Sequence, residues 1–156
     1  MTQVHLAKAL KLQKRLRGRY SEVVSNIGSY NSVLEEQKDK VDVTKLIEQR
    51  DAISEALIDL KVALYQGNKG IQRELYTLAE KKGEADMYRT LNTHEGVQRH
   101  GYQNTTITHV ATVTKAIADA KVRQLESEVD ALQDTVDAYN HKTKIEIAQS
   151  TMDLAS

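Results

Sequence analysis

The stretch ADAKVRQLESEVDALQDTVDAY, residues 118–139, decides the fold class. Its apolar residues Ala118, Val122, Leu125, Val129, Leu132, Val136 and Tyr139 step by four and three in turn, the spacing that lays one narrow stripe along a helix. At ~1.5 Å per residue, a helix from Thr112 to about Lys142 extends ~45 Å. Such a helix cannot bury its stripe alone, so it must pack on other helices or on a second copy of the chain.

Two more stripes extend the pattern toward the N-terminus. Leu16, Tyr20, Val23, Ile27, Tyr30 and Leu34 place a helix over about residues 3–36. Val43, Leu46, Ile53, Leu57, Leu60, Leu64, Ile71, Leu75 and Leu78 place another over 43–82, with the stem of Arg50 lying along its seam. Asp42 and Thr44 are candidate caps, which puts a turn near EEQKDKVD and makes these two helices an antiparallel hairpin. YQGNKG, residues 65–70, interrupts the second stripe with two glycines and implies a kink, a loop or a close helix approach. The expected fold is all-α: a long antiparallel helical hairpin plus a C-terminal heptad helix, an elongated bundle completed by oligomerisation through the 118–139 stripe. One helical domain covers 1–147, and 148–156, which has no period, reads as a flexible tail.

Composition narrows the function. Aromatic residues are 4% of the chain, all of them tyrosine, and proline is absent, which suits long uninterrupted helices. The absence of cysteine removes disulfides, thiolate metal sites and cysteine nucleophiles together. No apolar run approaches the ~20 residues that span a bilayer, so no membrane partner is expected and the bacterial cytoplasm is the expected compartment. Net charge is zero but unevenly spread: KALKLQKRLRGR, residues 8–19, has six basic residues and no acid, whereas ESEVDALQDTVD, residues 126–137, has five acids and no base. Complementary charge within the chain favours an acidic helix as the partner of the basic run, and no aromatic residue interleaves it for base stacking, so no specific nucleic acid is expected.

Polar chemistry gathers in HEGVQRHGYQNTTITH, residues 94–109, read as a polar loop over 92–106 with Thr106, Thr108 and Thr112 as candidate caps of the last helix. Arg99, His100 and Tyr102, with Asn104, Thr105, Thr106 and His94, form a candidate site for an anion: guanidinium, imidazole, hydroxyls and glycine backbone donors near a helix N-terminus, with one ring to stack on a base or sugar. His94, His100 and His109, spaced by six and nine, lack the i, i+4 pattern of helical metal ligands, so no metal and no other cofactor is expected. No G-x-S-x-G elbow, phosphate loop or dinucleotide fingerprint is present.

The order of these motifs resembles a family of small all-helical bacterial and phage proteins of unknown function, often labelled septicolysin. LAKAL, residues 6–10, is similar to that family's opening LAEAL, and ITHVATVTKAIADAKVRQLESEVDALQDTVDAYNHKTKI, residues 107–145, lies on its pattern without a gap. Thr112 and Val113 fall on its Thr-Val pair, Val122, Leu125 and Leu132 on its heptad, and Asn140 on the asparagine that closes its helix; Thr114 and His141 depart from its aspartate and tryptophan. The resemblance implies an all-helical fold and oligomers, and no activity.

The functional expectation is a non-catalytic oligomeric helical binding protein that binds or sequesters a small anionic ligand such as a nucleotide signal, as a viral sponge would. The alternative is a structural coiled-coil assembly protein of a phage or bacterium with no small ligand. An enzyme is the least expected class, because no acid/base pair is recognisable. The basic run should give only weak association with duplex DNA, erased at physiological salt in a filter-binding or anisotropy titration, and tight sequence-discriminating binding would overturn this reading.

Overall fold

A computed structural model describes residues 1–38, 40–100 and 105–156. In chain order these form β1 (Thr2–His5), α1 (Leu6–Tyr30), α2 (Val43–Gly67), α3 (Gln72–Thr90), β2 (Gly96–His100), β3 (Thr105–His109), α4 (Lys115–Lys142), β4 (Lys144–Ile147) and α5 (Gln149–Leu154), with short 3-10 turns at Glu35–Gln37 and Asn68–Ile71. The described residues are mostly helical, as the periodicity implies, but they also form two small antiparallel sheets. The residues gather into two compact units, Met1–Gly70 with Asp137–Ser156, and Ile71–Val136.

In the first unit, α1 and α2 form the expected antiparallel hairpin. Leu6 lies against Gly67, while Val23 and Asn26 line one depression with Leu46 and Gln49, so the two helices run in opposite directions. Leu6, Ala9, Leu12, Leu16 and Val23 of α1 and Ile53, Ala56, Leu57, Leu60 and Leu64 of α2 are buried together. Each fully buried leucine or isoleucine contributes roughly 1.5–3 kcal/mol relative to exposure. Asp42 caps α2 by accepting a hydrogen bond from the Lys45 backbone N–H at 3.2 Å, as expected. The half-buried Arg50 is held beside Asp51 at 3.0 Å.

The first helix is shorter than its stripe. Residues 2–5 are a strand, not helix, and α1 ends at Tyr30, leaving Leu34 exposed. The end falls in GSYNS, where Ser29 already turns its hydroxyl to the Ser25 carbonyl, and serine and asparagine compete with the helix for backbone groups. β1 pairs with β4 in the register Val4↔Ile145 and Thr2↔Ile147. KIEI alternates with a period of two, and Ile145 and Ile147 join Val4 on the buried side.

The segment 148–156 is not a flexible tail. It contains α5, with Thr151 and Ala155 buried and Met152 and Leu154 packed on the core. Arg19 ties its end down by donating to the carbonyls of Leu154 and Ser156, and Gln149 meets the Thr2 hydroxyl at 2.9 Å. Sequence periodicity misses this element because six residues span less than two turns.

The expected helix 43–82 is two helices, divided at the glycine pair by the turn Asn68–Ile71, and the second continues to Thr90. A Cβ on Gly67 would lie 2.6 Å from Ile145 Cγ2 and 2.7 Å from Leu6 Cδ2. Tyr139 donates its hydroxyl to the Gly67 carbonyl at 2.9 Å. Close approach, not flexibility, therefore explains glycine here.

The second unit is built on α3 and the larger part of α4. Lys82 meets Gln133 and Arg89 meets Glu126, so residue numbers fall on one helix as they rise on the other and the pair is antiparallel. Leu78 and Ala85 of α3 and Ala118, Leu125 and Val136 of α4 are buried. Those three residues of the 118–139 stripe are thus already covered by the chain itself. The acids Glu126 and Glu128 take α3 bases as partners, and Arg19 of the basic run donates to the carbonyls of residues 154 and 156. α4 begins at Lys115, with Thr114 as its cap: the Thr114 hydroxyl accepts from the Ile117 N–H at 3.3 Å, a role expected of Thr106, Thr108 or Thr112.

Replacing Gly67 with alanine should destabilise the protein by about 1–3 kcal/mol, since the added methyl displaces Leu6 or Ile145. Gly18→Ala, at a helical position with nothing within 4 Å of the new carbon, should instead stabilise by about 0.5–1 kcal/mol. Denaturant unfolding of the two variants checks the opposite signs.

Candidate functional site

Residues 96–100 and 105–109 are not loop. They are β2 and β3, paired antiparallel in the register Gly96↔His109, Val97↔Thr108, Gln98↔Ile107, Arg99↔Thr106 and His100↔Thr105. The sequence supports this locally, since Thr105, Thr106, Ile107 and Thr108 are β-branched residues that fit a pleated ribbon better than a helix.

The entry to the ribbon is shaped by two residues. The Asn92 side chain accepts a hydrogen bond from the His94 backbone N–H at 3.1 Å, a local turn that sets the direction of the chain. Gly96 then adopts φ +118°, a region that side chains other than glycine's rarely enter. Among the described residues nothing lies within 4 Å of the place of its missing Cβ, so backbone conformation selects glycine here.

The register relates two residues of the expected site, Arg99 and Thr106. Arg99 faces Thr106 across one rung, on the same side as Val97 and Thr108, and the side chains of Arg99 and Thr106 are exposed. His94 lies beyond the other end of the strand, and the rungs of Gly96 and Arg99 alone are separated by ~10 Å at ~3.3 Å per residue. The backbones of His100 and Thr105 pair, while their side chains, with Tyr102 and Asn104, lie outside the described residues.

His94 instead meets a residue absent from the expected set. Its ring stands edge-on to that of His109, with centroids 4.9 Å apart and planes at 64°. The pairing of His109 with Gly96 brings it near the chain that carries His94; in the sequence the two histidines are separated by a span with no recognisable ligand spacing. Among the described residues, no group of three or more histidine, aspartate or glutamate side chains is gathered in a metal-binding arrangement.

The ribbon joins α3 to α4, and ion pairs hold those helices together. Lys81 and Gln124 donate to Glu128 at 2.8 and 2.9 Å and hold its carboxyl below the ordinary 4.5, while the bond to Glu128 raises Lys81 above its ordinary 10.5. Arg89 bridges Glu126, at 2.6 Å, and Asp86, and both contacts raise its pKa. Among the described residues, Arg99 has no ion-pair partner.

No family model, curated protein or solved structure matches this chain.

The Glu128 carboxyl is depressed in the folded state, so its contribution is present above pH 4.5 and is lost as the pH falls through the lowered value. The Lys81 contribution has the opposite sense: it is present below pH 10.5 and lost as the pH rises through the raised value. Glu128→Gln should flatten the acid limb of the melting temperature plotted against pH, and limbs that stay parallel to pH 3 would show that the pair adds nothing.

Proposed function

We propose that the chain is a non-catalytic binding protein whose β2–β3 ribbon is the contact element, with Arg99 and Thr106 as the anchor for a small anionic ligand such as a nucleotide. The observation that supports this reading is an exposed arginine without an ion-pair partner among the described residues, facing a threonine hydroxyl on the same side of a two-stranded ribbon. A guanidinium binds phosphate through paired charge-assisted hydrogen bonds, and a neighbouring hydroxyl adds a further donor. Tyr102, Asn104, His100 and Thr105 complete the proposed ligand contacts.

A second reading is a structural assembly protein, in which the same ribbon docks on another protein. It is favoured by the exposure of Val97 (64%), Ile107 (44%) and Val110 (84%), apolar side chains that protein contact would cover. Self-association belongs to both readings. On α2, Ile47, Ile58, Val62 and Tyr65 are exposed on the side away from the buried stripe, which makes that face, rather than the partly covered 118–139 stripe, the proposed contact between copies.

Calorimetric titration with cyclic and linear nucleotides separates the two readings. Arg99→Ala should weaken binding roughly tenfold or more, the loss of a charge-assisted bond worth ~1.5–3 kcal/mol, while changing stability by less than ~0.5 kcal/mol. If no anion binds the wild type even at millimolar concentration, the assembly reading replaces the ligand-binding one.

A further inference from the structure

We propose that His94 and His109 form a two-histidine site for a divalent transition-metal ion, of the zinc, nickel or copper class, at the base of the β2–β3 ribbon. This inference does not rest on Arg99 or on the anion reading.

The geometry carries it. With metal–nitrogen bonds of about 2.0–2.1 Å, two imidazoles on one ion place their centroids about 4.5 Å apart at a right angle and about 5.2 Å apart at a tetrahedral one. The His94 and His109 centroids lie 4.9 Å apart, between these values. Both side chains are exposed, and the torsion that turns an imidazole about its own axis is broad, so a shared ion requires each ring to turn one nitrogen toward it from the present edge-on contact. Imidazole is a ligand suited to zinc, copper and nickel, and two protein ligands leave the remaining coordination positions to water or to a donor from another molecule.

The approach of the two rings is built into the backbone. His109 ends β3 opposite Gly96, a residue with no side chain to cover it. The His94 ring stands beside His109, and the Asn92–His94 hydrogen bond and the φ of +118° at Gly96 shape the short segment that carries it. A bound ion would therefore tie the entry to β2 and the exit from β3 together at the base of the ribbon and stabilise the folded chain. The nearest alternative is an edge-to-face contact between rings with no ion, which needs only the same separation.

The two are separated by titrating the full chain with nickel or zinc chloride in metal-free buffer at neutral pH. The site predicts one ion per chain and a raised melting temperature. His94→Gln and His109→Gln should each weaken the metal by more than the roughly tenfold that loss of an outer-shell partner costs. His141→Gln, whose ring engages the Asp137 carbonyl on α4, should leave affinity unchanged. A measurement on the unaltered protein guards against misfolded variants: substoichiometric nickel should broaden the ring resonances of His94 and His109 before those of His5 and His141. Broadening that begins at His5 or His141, or wild-type affinity no tighter than that of the His94 and His109 variants, overturns the site and leaves the ring contact as packing alone.

Discussion

The first unit depends on a contact made possible by an absent side chain. At Gly67 the α2 backbone comes close enough to Leu6 and Ile145 that a single methyl would collide with both. That approach joins the last turn of α2, the first turn of α1 and β4 at one point, and the Gly67 carbonyl is used there by Tyr139. The β1–β4 ribbon can then lay Val4, Ile145 and Ile147 over the helical core. A bulkier residue at 67 would separate these elements and expose apolar surface on each of them. Close packing in a core transmits so small a change because its neighbours have little free space to yield.

Much of the helical scaffold was legible in the sequence because it depends on local periodicity. The heptad from Ala118 to Tyr139 lies in α4, the Asp42 cap opens α2, and α1 and α2 pack as an antiparallel hairpin. The departures arise where neighbours override local pattern. Residues 2–5 are strand because Lys144–Ile147 offers them a partner, although TQVH is too short to announce itself. Gln149–Leu154 is helix because the core receives Thr151 and Ala155, a reason lying entirely outside its own residues. The alternation in KIEI was a readable signal that the adjacent helical heptad obscured.

The polar segment shows a different limit. Its composition correctly marked a break between helices, and its threonines carried a strand preference, yet strand register cannot be read from composition. Register places Arg99 beside Thr106. It also makes His109 the neighbour of His94, a relation that depends on a rare backbone angle at Gly96 and on the side chain of Asn92. Ligand groups on a ribbon are related through pairing across strands, whereas sequence motifs describe spacing along one.

The pairing of residues 2–5 with residues 144–147 has a consequence for the order in which the protein is assembled. Contacts between residues so far apart in sequence are expensive in chain entropy and slow to form. The first unit is also interrupted, since residues 71–136 lie in the chain between its two parts. During synthesis, α1 and α2 therefore emerge long before β4 and α5 can cover their apolar surface, whereas the second unit is continuous and has all its residues available earlier. Its antiparallel helices can bring the later part of the chain back before β4 is made, which would shorten the effective loop that β1 and β4 must close. The interval before that closure is when the nascent chain presents the greatest risk of association through its uncovered core.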